Sequence, residues 1–505
     1  LEEIHDKMIS FDDEIERLHY LVDNNFYFNV FEKYSEAELI EITEYAKSIH
    51  FQFASYMSAS KFYKDYALKT NDKTKFLEDY NQHVAIVALY LANGNVKQAK
   101  QFISAMVEQR YQPATPTFLN AGRARRGELV SCFLLEIDDS LNSINFIDST
   151  AKQLSKIGGG VAINLSKLRA RGEAIKGIKG VAKGVLPVAK ALEGGFSYAD
   201  QLGQRPGAGA VYLNIFHYDV EEFLDTKKVN ADEDLRLSTI STGLIVPSKF
   251  FDLAKEGKDF YMFAPHTVKQ EYGVTLDDID LEKYYDDMVA NPNIEKKKKD
   301  AREMLNMIAQ TQLQSGYPYL MFKDNANKVH ANSNIGQIKM SNLCTEIFQL
   351  QETSVINDYG TEDEIKRDIS CNLGSLNIVN VMESGKFRDS VFTGMDALTV
   401  VSDEANIQNA PGVKKANNEL HSVGLGVMNL HGYLAKNKIG YESEEAKDFA
   451  NIFFMMMNYY SIERSMEIAK ERGEAYQDFD KSDYASGKYF DFYTSQEFRS
   501  EERRV

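Results

Sequence analysis

Apolar residues recur at helical spacing from the start of the chain to about residue 110, then give way to short apolar runs cut by Gly, Pro and Asn. In the first part, Ser35 followed by Glu38 forms a capping box ahead of Leu39, Ile42, Ala46 and Ile49, and further periodic segments cover about 81–91 and 95–110. In the second part the candidate strands are 131–137, 160–166, 209–217, 238–246, 259–264, 318–322 and 375–381. Helices are predicted between them at about 140–156, 296–315 and 443–471. Within the last, Phe453-Phe454-Met455-Met456-Met457 reads as buried core packing. Strands alternating with helices predict βαβ units and a parallel sheet buried on both faces. The pattern divides the chain into a helical domain, 1–111, and one large α/β domain, 112–505, with no internal repeat.

Composition changes this picture little. The 505 residues, 43% hydrophobic and 26% charged, are enough for a large core; they hold no apolar run of membrane-spanning length, and no signal peptide is expected among them. The chain opens on Leu1 and closes in the charged stretch Ser500–Val505, so both ends read as cut. A formal net charge of −17 argues against a nucleic-acid polymer as partner, whereas a few local arginines could still hold a small nucleotide. The one basic run, Lys296–Lys299, is expected to open a helix and form a solvated face. The glycines Gly158-Gly159-Gly160 read as a turn, and Gly203–Gly209 as a flexible loop containing Arg205.

Only three cysteines occur, Cys132, Cys344 and Cys371, without a Cys-x-x-Cys pair. Such sparse use fits a reducing cytosol and excludes a disulfide framework or a four-cysteine zinc site. The nine histidines show no metal-ligand spacing, so no metal is assigned. Each cysteine is expected at the mouth of a strand, where α/β sheets and barrels place functional residues. The stretch Ser341-Asn342-Leu343-Cys344-Thr345-Glu346-Ile347 concentrates chemistry. If extended, it would turn Asn342, Cys344 and Glu346 to one face. An amide that orients a hydroxyl, a carboxylate that takes its proton and a polarisable thiol able to carry a radical or attack suit reaction at a hydroxyl-bearing carbon. The alternative is a buried thiol, a turn asparagine and a solvated glutamate.

Three motifs decide between these readings. Asn-Leu-Cys-x-Glu at 342–346, Ser-Cys at 131–132 and Ser-Cys-Asn-Leu-Gly-Ser-Leu-Asn at 370–377 resemble the large (α) subunit of class I ribonucleotide reductase. The resemblance continues through Ala114–Gly122, Asp138–Leu141, Asn164–Arg169 and His421–Gly426, and within class I it is nearest the Ib type, which lacks a full ATP-cone domain. It implies a helical N-terminal domain followed by a ten-stranded α/β barrel of two five-stranded halves, incomplete in this chain. The implied activity is reduction of ribonucleoside diphosphates to 2′-deoxyribonucleoside diphosphates, supplying deoxyribonucleotides for DNA replication.

The resemblance also implies roles. Cys344 would become a transient thiyl radical that abstracts the 3′ hydrogen, Glu346 would take the 3′-hydroxyl proton, and Asn342 would bond the sugar hydroxyls. Cys132 and Cys371 would form the redox dithiol, with Cα atoms about 4.4–6.8 Å apart when bonded. Thr115, Ser131 and Gly160 would add substrate contacts, and Asp139, Arg169 and Ile175 would hold a dNTP or ATP effector, with Arg205 relaying its identity. No cofactor would bind directly, because the radical would come from the dimetal-tyrosyl cofactor of a separate β subunit. A thioredoxin- or glutaredoxin-like reductant, a homodimer of α chains and a cytoplasmic location complete the expectation. The adenosylcobalamin-dependent class II enzyme is the alternative within the same chemistry, and a non-catalytic nucleotide sensor is the alternative outside it. The family's Ser/Thr-rich diphosphate loop, its tyrosine pair and its Cys-x-x-Cys tail are not found before Val505, and Tyr459-Tyr460 match no relay position. Little turnover is therefore expected of this chain alone.

Overall fold

The computed structural model describes residues 2–200 and 206–494. Among the described residues ten strands follow in chain order: β1 Tyr111–Pro113, β2 Cys132–Glu136, β3 Gly160–Asn164, β4 Ala208–Asn214, β5 Ser241–Val246, β6 Asp259–Phe263, β7 Lys296–Asp300, β8 Tyr319–Phe322, β9 Ile369–Asn377 and β10 Val423–Met428. The chain separates into two units. The first comprises residues up to Ser131, Cys371–Asn406 and His421–Ala475, and the second comprises Cys132–Ser370, Ile407–Leu420 and the residues from Tyr476 on.

In the first unit the predicted capping box is present. Ser35 and Glu38 satisfy each other's backbone N–H groups at the start of the helix Glu36–Ser48, which buries Leu39, Ile42 and Ala46. A later helix, Tyr80–Ala92, is capped in the same way by Asp79 and Gln82 and is buried on nearly every side. Such a helix needs neighbours all round. Beside it, Glu78 receives hydrogen bonds from Tyr27, from Leu68 N (2.8 Å) and from Arg123 Nη2 (2.5 Å), and His83 Nδ1 lies 2.7 Å from it. Burial alone would raise the Glu78 pKa, but the charges of Arg123 and His83 and these hydrogen bonds hold it well below the ordinary carboxylate value. A depressed carboxylate pKa contributes stability that is complete above about pH 4.5 and is lost as pH falls toward the folded value. Glu78→Gln is expected to destabilise the protein by about 3–5 kcal/mol, because it leaves Arg123 buried without its counter-charge. Urea denaturation at pH 7 measures this, and a midpoint equal to the wild type would contradict the assignment.

Three strands complete this unit. β9 is flanked by antiparallel β1, with Gln112 opposite Ser375, and by parallel β10, with Gly424 opposite Leu373. The strand expected at 375–381 is displaced. β9 ends at Asn377, and Ile378–Ser384 is helical. The long helix Glu444–Arg472 falls where periodicity placed it, but its apolar run is only partly core: Phe453 and Met457 are buried while Phe454 is 43% exposed. Five consecutive apolar residues span more than one helical turn, so they cannot all face one side.

The second unit is built on five parallel strands in the order β2-β3-β4-β5-β8, as expected for one half of the barrel. Every residue of β3 and of β5 is buried, the mark of a parallel sheet covered on both faces. The helix Leu141–Lys156 connects β2 to β3 and ends as Gly158 takes φ 95°. Gly158 and Gly159 thus make the expected turn, while Gly160 already opens β3. The lysine run departs from expectation. Lys296–Asp300 pairs antiparallel with β6, and the helix starts only at Ala301, capped by Asp300. Lys297 and Lys299 both reach Glu221 and Lys298 reaches Asp259, so the run is a charged two-stranded edge stabilised by ion pairs.

Candidate active site

The heptapeptide 341–347 is a turn and not a strand, which corrects the alternating-face expectation for Asn342, Cys344 and Glu346. Thr345 N bonds back to Asn342 O at 3.1 Å, and Thr345 takes φ 62°, outside the extended region. The cause is Asn342. Its Oδ1 accepts from Glu346 N (2.9 Å) and Ile347 N (3.0 Å), replacing the partners that a strand would have supplied. Ser341 Oγ closes the same loop on Ile347 O at 2.9 Å. From β4, Tyr212 donates to Asn342 O at 2.7 Å, and its hydroxyl lies 2.8 Å from Thr345 Oγ1. Burial pushes the Tyr212 phenol well above its ordinary pKa, so it stays a neutral donor.

The curl still gathers the predicted groups. Asn342, with no solvent exposure, donates through Nδ2 to Glu346 Oε1 at 2.8 Å, and the same nitrogen lies 3.9 Å from Cys132 Sγ. An amide, a carboxylate and a thiol from residues far apart in sequence therefore meet. Cys344, beside them in the turn, is exposed, not sealed in hydrocarbon. It lies in no strand, which corrects the placement of all three cysteines at strand mouths. Cys132 is the first residue of β2 and pairs in register with Gly160, so these two predicted site residues are neighbours.

The remaining predicted residues fall as follows. Cys371 belongs to the first unit, where it is buried in β9 with its sulfur 3.8 Å from Asn372 O. A Cβ on Gly424 of β10 would stand 3.0 Å from that sulfur, so the glycine leaves room for the thiol. Thr115 opens the helix Thr115–Asn120, is exposed, and lies with Oγ1 3.0 Å from Tyr66 OH. Ser131 is buried at the end of the same unit.

Asp139, Arg169 and Ile175 also come together. Arg169 donates through Nε to Asp139 Oδ2 (2.7 Å), through its backbone N to Asp139 Oδ1 (3.1 Å) and through Nη1 to Ala174 O. The adjoining Ile175 exchanges two 3.0 Å backbone bonds with Ile178 across Lys176 and Gly177, both at positive φ. This tight hairpin holds Ile175 out to solvent. Glu173 anchors its base by accepting from Ala170 N (2.6 Å) and His266 N (3.1 Å), and burial pushes its carboxyl up to about 7. Arg205 lies outside the described residues. Among the described residues no group of three or more His, Cys, Asp or Glu is placed to hold a metal ion, and no helix is long and apolar enough to cross a membrane.

Sequence reasoning missed Tyr212, Tyr66, Glu173 and His266. Each acts through a partner distant in sequence, and no local spacing announces it.

The chain is of the class of α/β-barrel oxidoreductases that carry an all-alpha domain. Residues 130–504 match the ribonucleotide reductase barrel domain, 52–126 its all-alpha domain and 1–51 its N-terminal region. The chain belongs to the ribonucleotide reductase family, as a class I large (α) subunit, and is an oxidoreductase chain of deoxyribonucleotide synthesis. It is similar to the ribonucleoside-diphosphate reductase subunit alpha of Bacillus subtilis (strain 168), 54% identical over 503 residues, which are 99% of this chain and 72% of that protein. The proteins of the same name from Mycoplasma pneumoniae and Mycoplasma genitalium are each 46% identical across 95% of this chain and 66% of their own length. Nothing in these relatives favours the adenosylcobalamin alternative.

Proposed function

We propose that this chain carries the catalytic residues of an α subunit, nearest the Ib type, that reduces ribonucleoside diphosphates to 2′-deoxyribonucleoside diphosphates. The observation that supports it best is the Asn342 amide, which ties Glu346 to the turn at 2.8 Å and stands 3.9 Å from Cys132. Chemistry at two adjacent sugar carbons needs its hydrogen acceptor, base and reductant gathered around the same ring. Cys344, as a thiyl, abstracts the 3′ hydrogen. Glu346 then takes the 3′-hydroxyl proton, and the 2′ hydroxyl leaves as water after protonation by the dithiol. Cys132 and Cys371 together give up two electrons and two protons and end as a disulfide, which balances replacement of the 2′ C–OH by C–H.

Thr115, Ser131 and Gly160 contact the substrate, and Asp139, Arg169 and Ile175, with Arg205, serve a dNTP or ATP effector. The salt-bridged Arg169 presents a guanidinium suited to phosphate, and Asp139 a ribose acceptor. A separate β subunit supplies the radical from its dimetal-tyrosyl cofactor. A thioredoxin- or glutaredoxin-like protein restores the thiols, α chains pair, and the enzyme works in the cytoplasm. The test is a reaction of holoenzyme, with β subunit and ribonucleoside diphosphate but no external reductant, followed by thiol mapping. One disulfide per product, joining Cys132 to Cys371, is expected. Product formed while both thiols stay free would overturn the reading.

A further inference from the structure

Within the first unit, the exposed Thr115 hydroxyl is not a free rotor, because Tyr66 OH lies 3.0 Å from its Oγ1. We propose that Tyr66 is a positioning residue for the substrate: its phenol fixes the Thr115 hydroxyl and polarises it toward an oxygen of the bound ribonucleoside diphosphate. This inference rests on Thr115 being a substrate contact.

The chemistry follows from the hydroxyl pair. Between two hydroxyls only one hydrogen lies in the shared bond, and the phenol is the more acidic partner and the better donor. Tyr66 therefore donates to Thr115, and the remaining Thr115 hydrogen points outward to an acceptor. A hydroxyl that accepts one bond donates the next more strongly, by roughly 10–30%. Fixing the rotor beforehand also removes an ordering cost from ligand binding.

The Tyr66 hydroxyl can do this because its own residue is held from several directions. Tyr66 N bonds to Phe62 O (2.9 Å) at the end of the helix Tyr56–Asp65, and Tyr66 O accepts from Arg123 Nη2 at 3.1 Å. That same guanidinium nitrogen is bound to Glu78, which also takes the amide of Leu68 two residues on. The Tyr66 ring lies 5.5 Å from that of Phe118, whose carbonyl is 2.7 Å from His83 Nε2. Phe118 follows Thr115 by one helical turn, so ring and hydroxyl of Tyr66 grip the same short helix. The buried ion cluster of the helical region thereby reaches the substrate through a single phenol.

The experiment is steady-state kinetics of holoenzyme, assembled with β subunit and supplied with reductant, for Tyr66→Phe, Thr115→Val and the double variant. Tyr66→Phe keeps the ring packing and removes one hydrogen bond, so KM for the ribonucleoside diphosphate is expected to rise about 3- to 10-fold, with kcat within about twofold. In the Thr115→Val background the same change is expected to have no further effect, because the partner through which Tyr66 acts is gone. If Thr115→Val raises KM and Tyr66→Phe does not, the proposal is overturned while the substrate contact stands. If Tyr66→Phe costs the same in both backgrounds, or lowers kcat alone, the residue is structural and the proposal is again overturned. If Thr115→Val leaves KM unchanged, the substrate reading of Thr115 fails, and the role of Tyr66 with it.

Discussion

Cys344→Ser is expected to abolish deoxynucleotide formation in the reconstituted holoenzyme, a loss on the order of 10⁴-fold or more, while the protein unfolds at the same temperature as wild type. The separation of the two effects follows from the turn. Cys344 is exposed, and the backbone around it is fixed by Asn342 Oδ1, Ser341 Oγ and Tyr212 OH through bonds to other backbone groups of the turn. A hydroxyl fits the same position. It cannot carry out the reaction, because an O–H bond is much stronger than an S–H bond, so a serine neither yields its hydrogen atom to an incoming radical nor returns one to the sugar. Single-turnover assays with labelled substrate measure the effect. Turnover within tenfold of wild type would remove Cys344 from the reaction and leave the neighbouring carboxylate and amide without a radical to serve.

The second large effect concerns Glu346. Glu346→Gln is expected to lower kcat by about 10²- to 10⁴-fold, the usual contribution of a general base, with KM changed little. The substitution is informative because a glutamine carbonyl still accepts from Asn342 Nδ2 where the carboxylate does at 2.8 Å, and Glu346 N still donates to Asn342 Oδ1. The loop is retained while the proton acceptor is lost. An unchanged kcat would mean that the carboxylate only organises the turn. A large rise in KM at constant kcat would make it a binding group.

The parts of this protein written in local sequence were legible. The capping box at Ser35 and Glu38 and the apolar strands β2 to β5 followed from spacing and composition alone. The lysine strand did not. Four like charges carry no apolar period, and only the acidic partners Glu221 and Asp259, distant in sequence, make a strand of them. The residues of the 341–347 turn could be singled out from the sequence, but the geometry of the turn could not. Alternation predicts a strand at 341–347 if backbone partners decide, yet the Asn342 side chain outcompetes them by capturing two amides. Tyr212, which holds the turn, and Tyr66, which holds Thr115, lie 130 and 49 positions from the groups they contact, beyond the reach of any periodicity.

Tyr212 can lie where it does because Gly243, its register partner on β5, has no side chain; a methyl there would come within 2.4 Å of the ring. The 341–347 turn is thus seated by a ring that packs directly on a glycine in the sheet interior. A survey that scores positions by lost turnover would rank Gly243 beside the chemical groups although it offers none, and its signature would be a turn that has drifted from the nucleotide with every reacting atom intact.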